Sequence, residues 1–599
     1  MQRLCVARHT LRRGWTPSRR VHVGQRHYAH TQSYTAAVIG AGITGLTTAH
    51  RLSKDPNCSH ITVYEKSPGV GGSMKSEIMA VDGGNVIFEQ GPRTLRATVP
   101  GGLPLMDLLF ELDLLDDVLL TSKNSPAARN RYIYYPDRLV CMPTISRENL
   151  WGDLFNTLRK LVNEPIFETF LMELLWERWR KAPDANPFKT DESVESFVTR
   201  RLGPEMANNI VSAVFHGIYA GDISRLSAQT LMGGLRIMEQ SNRGVASAMF
   251  QNMQMGISNM STDDLLALES VAPQKSTEYW KFLSSLIKGA SVLTLKRGLG
   301  QLPDALAKAL VQSGKVHILT NTEASAIVRS PGTSDITICD GNQRFRTHNR
   351  VIATGSAPNM VRSLSKTVRQ GQVIPHDTIR ALQDHNYAVT VMVVNLYYRE
   401  TDVIPVRGFG YLIPRSVPAE QNPERALGVI FGSETSEGQD TVQGTKVTVM
   451  LGGHWWDGWE KSDLPDHNTG VTMACNLLRR HLGITVAPAV ARTKMQADAI
   501  PQYTVHHLTR MGVLSEAARA EFNNRLTFAG SWYTGVGVTD CIRQGYIAGT
   551  YGVGARKLDP GDGSRPWRRY GAENWQLEGG VATAPVTPIG VFKSERKHY

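Results

Sequence analysis

The stretch AAVIGAGITGL, Ala36 to Leu46, decides the fold. Small and branched apolar residues run straight into Gly40-Ala41-Gly42-Ile43-Thr44-Gly45, a G-x-G-x-x-G loop. In such a loop the first glycine ends a strand in a tight turn. The second leaves room for a pyrophosphate against the backbone, and the third lets the next helix pack closely on the strand. The helix then aims its free N–H groups and the positive end of its dipole at the phosphates. The flanks agree: AAVIG reads as a strand, LTTAHRLSK (46–54) as a helix and HITVYEK (60–66) as a second strand. Glu65 falls about 20 residues past Gly45, where the motif places an acid on the ribose. The plainer alternative is a glycine-rich turn with Glu65 as a solvated strand end. The loop predicts a Rossmann-like α/β domain, and does not separate NAD from FAD.

A second glycine-rich turn, KSPGVGGSMKSE (66–77), follows Glu65 and carries Gly69, Gly71 and Gly72. Flavoproteins of the amine-oxidase type have a similar segment that usually ends Gly-Gly-Arg; Ser73 stands where that arginine would be. The departure puts one flavin-phosphate contact in question and leaves the flavin itself in place.

With 599 residues, 41% hydrophobic and 20% charged, the chain has the composition of a multidomain globular protein. No run approaches the ~20 apolar residues of a membrane-spanning helix. The formal charge is +12, but Arg3, Arg8, Arg12, Arg13, Arg19, Arg20 and Arg26 all precede the first acid, Asp55, leaving about +5 for the rest. An arginine-rich, acid-free start has the composition of a mitochondrial transit peptide. Residues 1–33 are read as that segment, cleaved near Tyr28 within RHYAH (26–30). A basic arm for nucleic acid is the rival. The remaining chain lacks the clustered Lys/Arg with interleaved aromatics that such a partner needs, so no nucleic acid is expected. The six cysteines are scattered with no C-x-x-C, so no metal site is expected.

The first dinucleotide loop lies near one end, and RLTFAGSWYTGVGVTDCIRQGYIAG (525–549), a strand, glycine-rich turn and helix, lies near the other. A cofactor domain assembled from distant segments follows. The expected division is 34–122, 292–360 and 495–555 for the cofactor domain, and 123–147 with 361–494 for a β-rich substrate domain. Residues 148–291 form a helical domain, and 556–599 a tail without structure. The fold class is α/β plus α. Within the helical part, Ile166–Trp179 reads as a core helix, with a position on a membrane surface as the alternative. Residues 238–262 are Met-rich and adaptable.

Several segments together resemble the protoporphyrinogen oxidase family of amine-oxidase-like flavoproteins: FEQGPRTLR (88–96), RNRYIYY (129–135), RRLGPE with HGIYAGD, GFGYLIP (408–414), KVTVMLGG, IPQYT (500–504) and the C-terminal segment. The match runs in order from about 36 to 552. This resemblance implies a flavin domain, a substrate domain and a helical membrane-facing domain. It implies one non-covalent FAD per chain and oxidation of protoporphyrinogen IX to protoporphyrin IX by dioxygen, with peroxide released. Six electrons leave the macrocycle, so a two-electron flavin turns over three times. It further implies a peripheral position on the mitochondrial inner membrane, a homodimer and ferrochelatase as a partner.

By the same resemblance, Arg131 binds a propionate, Phe409, Leu412 and Met450 sandwich the macrocycle, and the Gly217 carbonyl accepts a pyrrole N–H. Gly91, Pro92, Arg93 and Thr94 lie by the isoalloxazine, Glu323 by the adenine, and Ser531 with Val536, Gly537 and Val538 form the second flavin contact. The flavin takes the hydride, so no protein nucleophile or catalytic side chain is expected. His216 and His454 are acid–base candidates by residue type, and read better as polar residues near a cleft. The rival readings are a flavin amine oxidase, for which Trp532 and Tyr533 would supply an aromatic cage, a desaturase, and a flavin-less escort protein for prenylated GTPases.

Overall fold

The computed structural model describes residues 33–551, apart from 97–100, 144–156, 158, 178, 181–189, 240–243, 246, 248–256, 261–266, 268–269, 271–274 and 331, together with 590–593. The expected transit peptide, most of the Met-rich segment and most of the tail lie outside the described residues.

A five-stranded parallel sheet carries the opening loop. Its spatial order is Val316–Leu319, Cys58–Tyr64, Tyr34–Ile39, Arg350–Ala353, Leu526–Phe528. In chain order these strands read 3-2-1-4-5, so the sheet reverses direction of growth beside Tyr34–Ile39. That reversal is where α/β sheets open a crevice for a ligand. Burial on both faces explains the continuous apolar run of this strand, whose Ala36, Ala37 and Val38 have no exposed surface.

The helix Ile43–Ser53 packs against the C-terminal helix Val538–Tyr551. Glycines allow it: a Cβ on Gly545 would lie 2.6 Å from Thr47 Cβ, and one on Gly549 2.5 Å from Arg51 Cβ. The helix of the opening loop and the helix near residue 550 are thereby locked into one domain.

A seven-stranded sheet stands beside it, in the order Val490–Pro501, Ala388–Tyr398, Thr445–Gly452, Ala426–Phe431, Gly410–Leu412, Arg131–Tyr134, Leu139–Cys141. Most neighbours are antiparallel; Arg131–Tyr134 runs parallel to Gly410–Leu412, with Arg131 opposite Gly410. A three-stranded sheet of Leu95–Arg96, Ala290–Leu295 and Val118–Ser122 joins the two larger units.

The expected domain breaks shift accordingly. Val490–Pro501 is one strand across the break at 494/495, because its pairing with Ala388–Tyr398 continues from Val490 to Pro501. The helix Ala357–Ser365, which the expected break at 360/361 would cut, and the helix His376–Gln383, expected in the substrate domain, bury Met360, Leu364, Ile379 and Leu382 in one core with Phe522, Leu526 and Phe528 of the cofactor side. Thr277–Leu286, expected in the helical domain, packs Tyr279 and Leu283 against Leu108 and Leu109 of the cofactor domain's core. Within the tail, Gly590–Lys593 pairs antiparallel with Ile257–Met260 rather than lacking structure.

The core-helix reading of Ile166–Trp179 holds at its start, where Ile166 and Phe167 are buried, and is overturned beyond it. The helix Phe170–Glu177 turns its acid inward: Glu177 is buried and pairs with buried Arg201 at 2.9 Å. Its apolar side chains Met172, Leu175 and Trp176, with Trp179 just beyond, are exposed. Among the described residues no helix is long and apolar enough to cross a membrane.

Candidate functional site

The glycine loop behaves as its spacing predicts. Gly40 has φ +99°, a conformation that side chains resist. A Cβ on Gly45 would fall 1.9 Å from the Gly40 carbonyl oxygen, so only glycine lets the helix meet the turn. Around Gly42, by contrast, the space for a Cβ is empty. The helix starting at Ile43 has no side-chain cap and no acid in its first turn. Its leading N–H groups are therefore available to an anion.

Four distant segments converge on this loop. Glu65 accepts from the Ala41 N–H at 2.8 Å and from the Ser67 N–H at 2.8 Å, one bond to each carboxylate oxygen. The Thr322 N–H donates to the Glu65 backbone carbonyl at 2.8 Å, which brings Glu323 beside the end of that strand; its side chain is exposed. Gly71 donates to the Ala41 carbonyl at 2.8 Å, so the second glycine turn lies against the first. Gly91 follows closely, since a Cβ there would lie 2.3 Å from the Ser73 carbonyl oxygen. Gly530, next to Ser531, has φ +106° and abuts Thr44. At the C-terminal turn the Gly537 N–H donates to Asp540 at 3.3 Å, ahead of the helix from Val538, with Val536 and Gly537 half-buried.

The 91–94 segment leads from this cluster to an apolar cavity of about 400 Å³. Arg93 donates from Nε to Thr448 Oγ1 at 3.2 Å and reaches Met450 Sδ at 3.6 Å. Burial pulls its guanidinium down to about 10, with Glu89 opposing, and Nη2 is buried without a hydrogen-bond partner. Thr94, Arg131, Gly217, Phe409, Leu412 and Met450 all line the cavity. Arg131 sits at the first position of its strand, 5.5 Å from the centre of the Phe409 ring. Burial and the neighbouring charge of Arg96 hold its guanidinium below the usual value. Gly217 lies in the last turn of Ser212–Tyr219, where carbonyls lack intrahelical partners. A Cβ there would sit 2.7 Å from Leu412 Cδ2.

Behind Gly217, His216 also lines the cavity. Its Nδ1 lies 2.7 Å from the Ile413 carbonyl and its Nε2 2.8 Å from His454 Nε2. A carbonyl only accepts, so neutral His216 donates from Nδ1 and accepts at Nε2 from His454. Burial first, then His454, pushes His216 down to about 3. Burial also lowers His454, against Asp222 and Asp457.

Most of the sequence-predicted residues thus lie in or beside two adjoining features, the loop cluster and the cavity, with Glu323 brought near the first by its neighbour Thr322. Sequence reading missed Arg96, which lines the cavity beside Thr94, and the contact between the two histidines. The alternation Thr94–Leu95–Arg96 on a strand carried a signal for the first; nothing in the sequence joined residues 216 and 454. Trp532 and Tyr533 do not line the cavity. Both are buried, the Tyr533 hydroxyl donates to the Gly355 carbonyl at 3.1 Å, and the amine-oxidase cage has no counterpart in them. No cluster of metal-ligating side chains occurs among the described residues.

Residues 43–549 match the family of flavin containing amine oxidoreductases, and the chain belongs to that family. It therefore is a flavin-dependent oxidoreductase, with the fold its opening loop predicts. Within the family its branch is that of the protoporphyrinogen oxidases. It is 32% identical to protoporphyrinogen oxidase of Schizosaccharomyces pombe over 87% of this chain and 98% of the relative. It is 29% identical to the Homo sapiens protein of that name over 85% and 96%. A relative from Oryza sativa, 24% identical over 86% and 87%, is named as chloroplastic. Among solved structures, a candidate protoporphyrinogen oxidase from an Exiguobacterium species superposes with TM-score 0.64 at 18% identity, covering 87% of this chain and 98% of that one. Cyclohexylamine oxidase from Brevibacterium oxydans does so with TM-score 0.55 at 14% identity, covering 87% and 98%. These two likenesses speak for the fold.

Proposed function

We propose that the chain oxidises protoporphyrinogen IX to protoporphyrin IX with dioxygen as acceptor, using one non-covalently bound FAD. The observation that carries this reading is the 91–94 segment. Gly91 abuts the dinucleotide loops, and Thr94 lines an apolar cavity with cationic but no acidic side chains among the described residues. A flavin supplies the hydride acceptor. The residues present fit FAD: open space at Gly42, uncapped amides from Ile43, the Glu65 carboxylate at the strand end where the motif would have it meet a ribose, and an unpartnered Arg93 Nη2.

The chain's own residues do the rest. The apolar lining excludes water and takes a large flat ring. Phe409, Leu412 and Met450 hold its faces, the Gly217 carbonyl receives a pyrrole N–H, and Arg131 grips a propionate by paired charge-assisted hydrogen bonds. The substrate's methylene bridge is already activated by its electron-rich pyrroles, so no protein nucleophile is needed.

The exposed apolar side of Phe170–Glu177 supports a peripheral place on a membrane, and the acid-free N-terminus supports mitochondrial import, inner-membrane attachment and removal of the first ~28 residues. A homodimer and a contact with ferrochelatase remain expectations of the family resemblance. Anaerobic mixing of the purified yellow protein with reduced protoporphyrin precursor tests the activity. The flavin absorbance should bleach and return on admitting air, with porphyrin fluorescence appearing; a flavin that stays oxidised overturns the reading.

A further inference from the structure

The cavity has a charge imbalance that one arginine does not explain. Arg131 and Arg96 both line it, and among the described residues no aspartate or glutamate does. Neither makes an ion pair with a described carboxylate: Arg131 has the face of Phe409, and Arg96 has no charged partner among the described residues. They come from different sheets. Arg131 begins Arg131–Tyr134 of the seven-stranded sheet, whereas Arg96 ends Leu95–Arg96 of the connecting sheet, opposite Val292. Strand alternation sets its direction: Leu95 points into the core and is buried, while Thr94 and Arg96, two residues apart, face the cavity.

Both residues are exposed at the cavity wall, where their like charges oppose one another, screened in part by solvent, until anionic groups arrive. The opposition is present, since Arg96 contributes to the depression at Arg131. One bound carboxylate would leave the second guanidinium unmatched; two neutralise both.

We propose that Arg96 is a second carboxylate-binding residue of this cavity. With Arg131 it forms a two-point grip for a ligand that carries two carboxylates, and the pair sets the preference for dicarboxylic macrocycles over singly or doubly esterified ones. This rests on the porphyrinogen reading above and adds a specificity-determining residue to it. Because the two arginines stand on different sheets, a dicarboxylate bound between them also ties the flavin side of the site to the substrate side.

The test compares wild type, Arg96→Ala and Arg96→Lys on oxidised dicarboxylic porphyrin and on its diester, with binding read from the porphyrin's own fluorescence. Turnover of the reduced forms is measured in parallel. Removing a charge-assisted grip should weaken dicarboxylate binding about ten- to a hundredfold and raise KM by a similar factor, with kcat little changed. Arg96→Lys should recover part of the loss, and the diester should respond little to either change. Equal losses for acid and diester, or no loss for the acid, overturn the proposal. Since binding is read without turnover, a wild type that binds the diacid but fails to oxidise its reduced form refutes the oxidase reading alone. The Arg96 comparison still stands or falls by itself.

Discussion

His216 Nε2 and His454 Nε2 lie 2.8 Å apart, and only one of them can carry the proton between them. With the Ile413 carbonyl holding the other His216 nitrogen, the buried ring has no acceptor left for an added proton. His216 is pushed to about 3, from an ordinary 6.5. Above pH 6.5 both folded and unfolded chains keep it neutral. Between 6.5 and about 3 the unfolded chain gains a proton that the folded one refuses, so stability falls as pH falls. The slope from this group reaches up to about 1.4 kcal/mol per pH unit. His348, His385 and His481, each lowered to about 4 chiefly by burial, act in the same direction. Urea midpoints measured downward from neutral pH should therefore drop steeply through the histidine range, and less steeply in His216→Gln. Midpoints that hold constant to pH ~4 would contradict the buried neutral pair.

The second and third glycines of the loop should separate folding from cofactor binding. Gly42 has φ −71° and empty space before it, so Gly42→Ala should keep the thermal midpoint of the apoprotein while flavin binding weakens. Gly45→Ala places a methyl 1.9 Å from the Gly40 carbonyl and should destabilise the apoprotein by more than ~2 kcal/mol. Flavin titration and apoprotein melting check both. A Gly42→Ala protein with wild-type flavin affinity would remove the pyrophosphate from that place.

Gly217 and Leu412 share one volume. Gly217→Ala should cost about 1–3 kcal/mol by overpacking and should raise KM. Adding Leu412→Ala should return part of the stability, because the clashing Cδ2 is gone. A double-mutant cycle reads the coupling, and strict additivity would mean that the helix moves instead.

Arg131→Ala should raise KM for the dicarboxylic substrate about ten- to a hundredfold, with kcat nearly unchanged, because the carboxylate stays charged throughout and lies away from the hydride. The diester should be affected far less. Equal effects on acid and ester would assign Arg131 to the fold or the cofactor.

The outward apolar helix face predicts lipid contact. Leu175→Glu with Trp176→Glu should lower co-sedimentation with phospholipid vesicles, while the thermal midpoint changes by less than ~0.5 kcal/mol equivalent, since both side chains are already exposed. Unchanged sedimentation would place the membrane contact elsewhere.

Local signals in the chain determined the dinucleotide fold. The spacing of Gly40, Gly42, Gly45 and Glu65 is a local geometric requirement of one turn, one helix start and one strand end, all within thirty residues. The cavity residues were legible through family resemblance alone, because Phe409, Leu412 and Met450 look like any strand core residue until the sheet order is known. Tertiary structure decided what local pattern cannot carry. Phe170–Glu177 turns Glu177 inward to buried Arg201 on a separate helix, and leaves Met172, Leu175 and Trp176 outward. Helices 357–383 join the cofactor domain because Phe522 and Phe528 return from near the C-terminus to cover them. Arg96 meets Arg131, and His216 meets His454, only because separate strands and loops are brought to one cavity wall. Pairings between separate elements depend on which surfaces find each other in the packed chain, and no periodicity within a single segment records that.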